Sequence, residues 1–239
     1  MTPADEATND LNTVITLLWS PAPTPKRGPQ RGLNLTDIAN AAITIADTDG
    51  LTAVTMQRVA EALGVTKMAL YRYAPGKTEL VALMTEVAIG EPAALDPATD
   101  WRTQLHDWAH AMIDRFVRHP WSLATTTGIR AMGPNEIGWL EQALTALDGT
   151  RLDGSEKLDV AATLAGHARA IAQQHTPGAS AEKGLETVFA TVLRDHAARF
   201  PALTAALDSV ATDGGQDQAF DFGLDRILDG IALLVDNRS

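Results

Sequence analysis

The chain has no cysteine among its 239 residues, which excludes disulfide staples, thiolate metal sites and thiol nucleophiles. Aromatic residues make up only 5%, with two Tyr in all, so the core is expected to rest on Ala and Leu, both strong helix formers. No apolar run approaches the length needed to cross a bilayer. The first twenty residues contain Asp5, Glu6 and Asp10 but neither Lys nor Arg, unlike a secretory leader. A cytoplasmic protein with no membrane partner is the expectation. No glycine-rich phosphate loop follows a strand pattern, and no Ser/His/Asp grouping has a nucleophile-elbow context. The sequence therefore assigns no catalytic residue and no cofactor. Positive charge is also scarce: 19 Lys and Arg face 30 Asp and Glu, for a net charge of -11.

One segment reverses that balance. From Lys26 to Lys77 the chain has seven basic residues and four acidic, a basic segment on an acidic protein, as expected of a nucleic-acid-binding head. Inside it, Thr55 to Tyr73 reads as two short helices around a glycine turn. Ala60 is small enough for two helix axes to cross closely, and Gly64, four residues on, permits the left-handed backbone of a tight turn. Thr55 and Thr66 are placed to cap the two helices. Val59 and Leu63 give the first an apolar face, and Val65 and Leu70 turn the second inward. Helices this short need support. The spacing of Ile38, Ala42 and Ile45 predicts a helix over 36–49, ended at Asp49-Gly50, and Leu80, Leu83, Met84 and Val87 predict another after Pro75-Gly76.

The second helix of the pair leaves Lys67, Met68 and Tyr71 outward, as a recognition helix entering the major groove by its N-terminal end would. Tyr73 and Lys77 are placed for phosphates, and Thr55 and Gln57 for the backbone or a base edge. Arg27 and Arg31, in a proline-rich stretch, suit a basic arm along the phosphates or in a minor groove; a solvated tail is the alternative.

These residues resemble the DNA-binding domain of the TetR-type transcriptional regulators over about Leu33 to Gly90. The likeness is carried by Asp49-Gly50, Thr55, Ala60 to Val65, Leu70-Tyr71, Tyr73, Lys77 and Leu80. It implies that Thr55, Gln57, Lys67, Met68, Tyr71, Tyr73 and Lys77 lie where members of the family touch operator DNA. A weaker likeness, from Phe220 to Ile231, is to the last helix of tetracycline-repressor-like C-terminal domains. The resemblance implies a repressor rather than an activator. The expected organisation is all-α: a flexible N-terminal arm over 1–32, a helix-turn-helix three-helix domain over 33–90, and a helical ligand-binding and dimerisation domain over 91–239.

In that last region the periodicity predicts helices over 101–119, 121–127, 134–147, 158–174, 181–200 and 220–235, with no credible strand. Trp101, Leu105, Trp108, Met112, Phe116, Trp121, Met132, Trp139, Leu140, Leu164, His167 and Ile171 are the candidate lining of a small-molecule pocket, and as a set they favour an apolar or aromatic effector. Ordinary core packing is the alternative for each. Leu185, Val188, Phe189 and Val192 on one helix, with Leu224, Ile227, Leu228 and Ile231 on the other, are the candidate faces of a homodimer. The expected partners are double-stranded palindromic operator DNA, a second copy of the chain and a small effector. A DNA-binding scaffold without an effector is the alternative.

One motif remains. His106 and His110 lie four apart with Asp107 beside the first, like a metal-binding His-x-x-x-His pair. A metalloprotease would have Glu where Asp107 stands, and no third ligand is fixed by the sequence, although His167, His175 or His196 are candidates by folding nearby. Solvated histidines on an amphipathic helix are the alternative, so no metal site is assigned and a metal-dependent enzyme is the least favoured reading.

Overall fold

The computed structural model describes residues 3–20, 33–174, 188, 191–193, 195–213 and 219–238. All its regular structure is helical: α1 (Pro3–Trp19), α2 (Leu35–Asp49), α3 (Met56–Ala62), α4 (Lys67–Tyr71), α5 (Lys77–Ile89), α6 (Trp101–Arg118), α7 (Ser122–Thr125), α8 (Pro134–Ala146), α9 (Gly154–Ala172), α10 (Pro201–Asp213) and α11 (Ala219–Arg238). No strand occurs among the described residues, and none of their helices is long and apolar enough to cross a membrane.

Local chemistry sets the ends of these helices. Asn34 caps α2 by accepting from the Asp37 amide at 2.8 Å. Thr55 and Thr66 cap α3 and α4 by accepting from the Arg58 and Ala69 amides, each at 3.2 Å. Between α3 and α4, Gly64 sits at φ +65, a conformation that a side chain would strain. Asp100 caps α6 through the Thr103 amide at 3.0 Å. A reciprocal capping box, Asp153 with Glu156, starts α9.

Two cores result. In the head, α1 to α5 bury Ile38, Ala42, Val59, Ala60, Leu70, Leu80 and Met84. In the body, α6, α8, α9 and α11 bury Leu105, Trp108, Trp139, Leu164, Leu224 and Leu228. The helix α5 bridges the two, packing on α1 and α2 at one end and on α6, α7 and α8 towards the other.

Several expectations are corrected. The first part of the N-terminal arm, where Leu11, Val14, Ile15, Leu17, Leu18 and Trp19 predict one short helix, is a longer, 17-residue helix that docks on α5, with Val14 and Leu18 buried in the head core. The Trp19 indole donates to the Met132 carbonyl at 2.9 Å. Arg27 and Arg31 lie outside the described residues. The helix expected from residue 158 begins at Gly154 because the capping box, not the first apolar residue, nucleates it. Of the helix expected over 181–200, residues 181–187 lie outside the described residues; its end is a 3-10 turn at Ala197–Arg199, after which Pro201 opens α10, which the sequence reading had missed. Proline is a good first residue of a helix even though it breaks an interior.

Docking of α1 sets a stability test. Leu18→Ala should cost about 2 kcal/mol, the low end for a buried leucine because the site is at the edge of the core, read from urea unfolding. A loss under about 0.5 kcal/mol, the size of an exposed substitution, would show that α1 does not pack on α5.

Candidate functional site

The head presents a surface suited to nucleic acid. Lys67 and Met68 open α4 and are exposed, Met68 at 73%. The Lys67 ammonium lies over the Tyr71 ring, 5.6 Å from its centroid, which holds both side chains at one end of the helix. Thr55 and Gln57 are exposed at the start of α3, with the Gln57 amide donating to Glu61 at 2.6 Å. Tyr71 and Tyr73 are half-buried against the head core. Lys77 is exposed in the first turn of α5, where helix dipole and ammonium together favour an anion.

The body contains a cavity of about 430 Å³. Of the side chains predicted to line it, Trp108, Met112, Phe116, Met132, Trp139 and Leu140 do so. The others have different places. Trp101 and Leu105 pack in the body core, Ile171 belongs to a small cluster with Ile113 and Phe116, and His167 stacks on Phe220 at 5.3 Å. Trp121 belongs to the head core, and its indole donates to Asp47 on α2 at 2.7 Å. Asp47 also lies 2.9 Å from His119 Nδ1, so one carboxylate ties the end of α6 to the head.

The sequence reading missed the polar side of the cavity: Arg115, Thr126, Arg130, Glu136, Asp159 and Arg169. Arg130 and Glu136 form a bidentate pair with both contacts at 2.5 Å. Arg169 donates to the Leu123 and Thr126 carbonyls at 2.8 and 3.1 Å and covers the Phe116 ring at 5.0 Å. Burial first, and then the neighbouring Arg130 cation, pull the Arg169 guanidinium below its ordinary value, while Glu136 opposes the shift. A ligand offering oxygen acceptors or negative charge would relieve that strain. The missed signal was the position of Arg169 beside Ala168 on the inward face of α9, where an arginine interrupts an apolar pattern.

Cavity and head meet at α5. Ile89, in its last turn, lines the cavity. The Asn135 amide at the start of α8 donates to Glu86 Oε1 at 2.6 Å, and the Asn135 side-chain amide donates to the Glu86 carbonyl at 3.0 Å. The Trp139 indole donates to the Gly90 carbonyl and the Trp108 indole to the Trp139 carbonyl, both at 2.9 Å. Glu86 Oε2 is buried without a partner, and Gly133 lies so close that a Cβ there would collide with the carboxylate.

The helix α11 faces two ways. Leu224, Leu228 and Ile231, expected at a dimer interface, are buried in the core of their own chain, and Ile227 packs partly against it. On the outer side stand Phe222 at 65% and Leu233 at 66% exposure, with Gly230 in open space between them. Val188 and Val192 are about half-exposed; Leu185 and Phe189 lie outside the described residues. Among the described residues, one set of three potential metal donors converges: His106, His110 and Asp221, within 4.8 Å of one another.

Comparison with known proteins assigns these parts. The profile described as "Tetracyclin repressor-like, C-terminal domain" matches residues 92–235, and that of "Bacterial regulatory proteins, tetR family" matches 38–84. The HTH-type transcriptional repressor DrrR1 of Streptomyces coeruleorubidus is 31% identical, over 96% of this chain and 88% of its own. Apo ActR from Streptomyces coelicolor has the same fold, with a TM-score of 0.70 at 22% identity over 88% of this chain and 100% of its own. ActR in complex with actinorhodin superposes with a TM-score of 0.69 at 22% identity, over 85% and 97% of the two chains.

Glu86 gives a pH test. Burial raises its carboxyl above the ordinary value, against the Asn135 and Glu136 amides, which lower it. A folded carboxyl that holds its proton more tightly than the unfolded chain does stabilises most below the ordinary value, and that stability is lost as pH rises through the folded-state value. Glu86→Gln keeps an acceptor for Asn135 and has no charge to bury. Above that window it should equal or exceed the parent in stability and lose this part of the pH slope, as read from urea midpoints between about pH 5 and 8. A variant clearly weaker at neutral pH would show that the ionised carboxylate is stabilising.

Proposed function

The chain belongs to the TetR family of bacterial transcriptional regulators, and we propose that it is a homodimeric repressor released from a palindromic operator by an aromatic, oxygen-bearing effector. Members of this family are transcription factors, not enzymes. The observation that carries the proposal is that α8 does two things at once: its Glu136, Trp139 and Leu140 line the cavity, and its first turn and Trp139 indole hold the last turn of α5. A ligand pressing on that wall acts on the helix whose other end presents Lys77 beside the recognition helix.

The effector class follows from the lining. Trp108, Phe116 and Trp139 offer flat apolar surface, and Arg115, Arg130 and Arg169 offer donors on the other side. The relative solved with actinorhodin supports an effector of this kind, and the relative named a transcriptional repressor supports the sign of regulation. An effector-free scaffold has no use for a cavity of about 430 Å³ walled by half-buried arginines.

Dimerisation completes the reading. Phe222 and Leu233 on the outer side of α11, with Val188 and Val192, supply the apolar surface that two copies can share across a twofold axis. Two recognition helices about one DNA turn apart then read two half-sites. Such a regulator works in the cytoplasm, on chromosomal DNA.

The test starts from an operator selected out of a random duplex library. Actinorhodin and a panel of hydroxylated aromatic compounds are then assayed for release of the protein from that operator. Ala165→Phe, which fills the cavity far from the head, should retain operator binding and weaken release by about tenfold or more. Unchanged release by the same compounds would move the effector elsewhere.

The DNA surface is tested separately. Met68→Ala should leave stability within about 0.5 kcal/mol and weaken the selected operator by about tenfold, as loss of an apolar base contact does. Lys77→Gln should weaken specific and random DNA alike and reduce the salt slope by about one. Unaltered binding in either variant removes that residue from the contact surface.

A further inference from the structure

Along the seam between α6 and α11, polar side chains recur every fourth residue on both helices. Arg102 and His110 pair with Asp229 and Asp221 in antiparallel order, and His106 stands one turn before His110 on α6. Arg102 closes one end, 2.7 Å from Asp229 and 3.8 Å from Asp225. At the other end His110 Nε2 lies 3.0 Å from Asp221 Oδ1, and the His106 and His110 ring centroids are 4.5 Å apart.

We propose that His106, His110 and Asp221 bind a late first-row divalent cation, zinc foremost, which fastens α6 to the first turn of α11. The donor set is two imidazoles and a carboxylate, which suits zinc and its neighbours. Spacing of i and i+4 puts both imidazoles on one face of α6. All three donor atoms lie within 4.8 Å of one another, whereas a tetrahedral zinc with bonds of about 2.0–2.2 Å needs its donors about 3.4 Å apart. Small side-chain rotations close that difference.

The surroundings orient the donors. Phe220 meets the His110 ring edge-on at 4.9 Å and stacks on His167 at 5.3 Å. His167 in turn lies against Gly223, where any Cβ would collide with its ring, and its Nε2 is 2.9 Å from the Phe220 carbonyl. The residue before Asp221 is thus pinned on two sides. Asp221 stands in the first turn of α11, where the helix dipole favours a negative side chain. All three groups are half-exposed, so an ion enters from solvent and water completes its coordination. The site lies outside the cavity lining and does not depend on the effector reading.

Calorimetric titration of the full-length, chelator-treated chain with zinc chloride tests this. A single zinc ion per chain should bind and raise the thermal midpoint. His110→Gln and Asp221→Asn should each weaken binding by about tenfold or more, at least the effect of losing an outer-shell partner of a metal ligand. His196→Gln, at an exposed histidine elsewhere, should leave it unchanged. Cobalt(II) absorption in the visible gives a second readout on the same variants. No uptake, equal loss in the His196 variant, or undiminished binding by Asp221→Asn would each overturn the proposal, the last by reducing the site to a surface histidine pair.

Discussion

The last turn of α5 ends inside the body, where α8 holds it by three hydrogen bonds: Asn135 to the Glu86 carboxylate and carbonyl, and Trp139 to the Gly90 carbonyl. These bonds are part-buried, so each is costly to leave unmade. The contact also has no slack. Glu86 Oε2 has no partner, and Gly133 fills the space beside it so closely that no larger residue fits. A joint packed this tightly does not deform gradually. It holds or it changes partners, and that is the property a switch between two head positions requires.

The two sides of that joint place their cations differently. On the head, Lys67 and Lys77 stand exposed at the proposed DNA surface. The body half-buries two guanidinium groups: Arg169 is held by carbonyls and by the Phe116 ring, and Arg130 by Glu136. Burying cations that are only partly compensated costs stability. The arrangement is reasonable where a ligand later supplies the missing acceptors, and it is a poor use of arginine where a core only has to be filled.

The helix-turn-helix was legible because its signals are local. Thr55 and Thr66 cap because a hydroxyl reaches an amide three residues on, and Gly64 turns because it lacks a Cβ; neither depends on distant partners. In the body, periodicity showed which side chains point inward but not into which cluster. Leu105 and Met112 share a face of α6, yet one is core and the other lines the cavity. Trp121 read as a pocket residue, and a carboxylate far back in the chain, Asp47, draws it into the head instead. Arg130, Glu136 and Arg169 were passed over because charge normally points outward. Helix α11 misled for another reason: its inner stripe is as apolar as any interface, and only the fold shows that this chain uses Leu224 and Leu228 for itself.

Two helices line the cavity and also reach the head, and their anchoring decides which one moves. The helix α6 is tied at both ends. Arg102 holds its start to Asp229, and the His119 and Trp121 contacts with Asp47 hold its exit to α2. Shifting α6 breaks polar contacts at both ends together, and a metal at His106, His110 and Asp221 would raise that cost. The helix α8 is held differently: its bonds to α5 all come from its first half, while Gln142 in its second half donates to the Ala93 carbonyl, the Trp108 indole of α6 donates to its Trp139 carbonyl, and Lys157 of α9 pairs with Asp148 in the turn that follows it at 2.8 Å. On the proposed reading, a ligand seated beside α8 presses on the helix that is bonded directly to α5. Because α8 grips α5 through Glu86 and Gly90, the effect proposed for such a ligand has a bonded route to the head through α5.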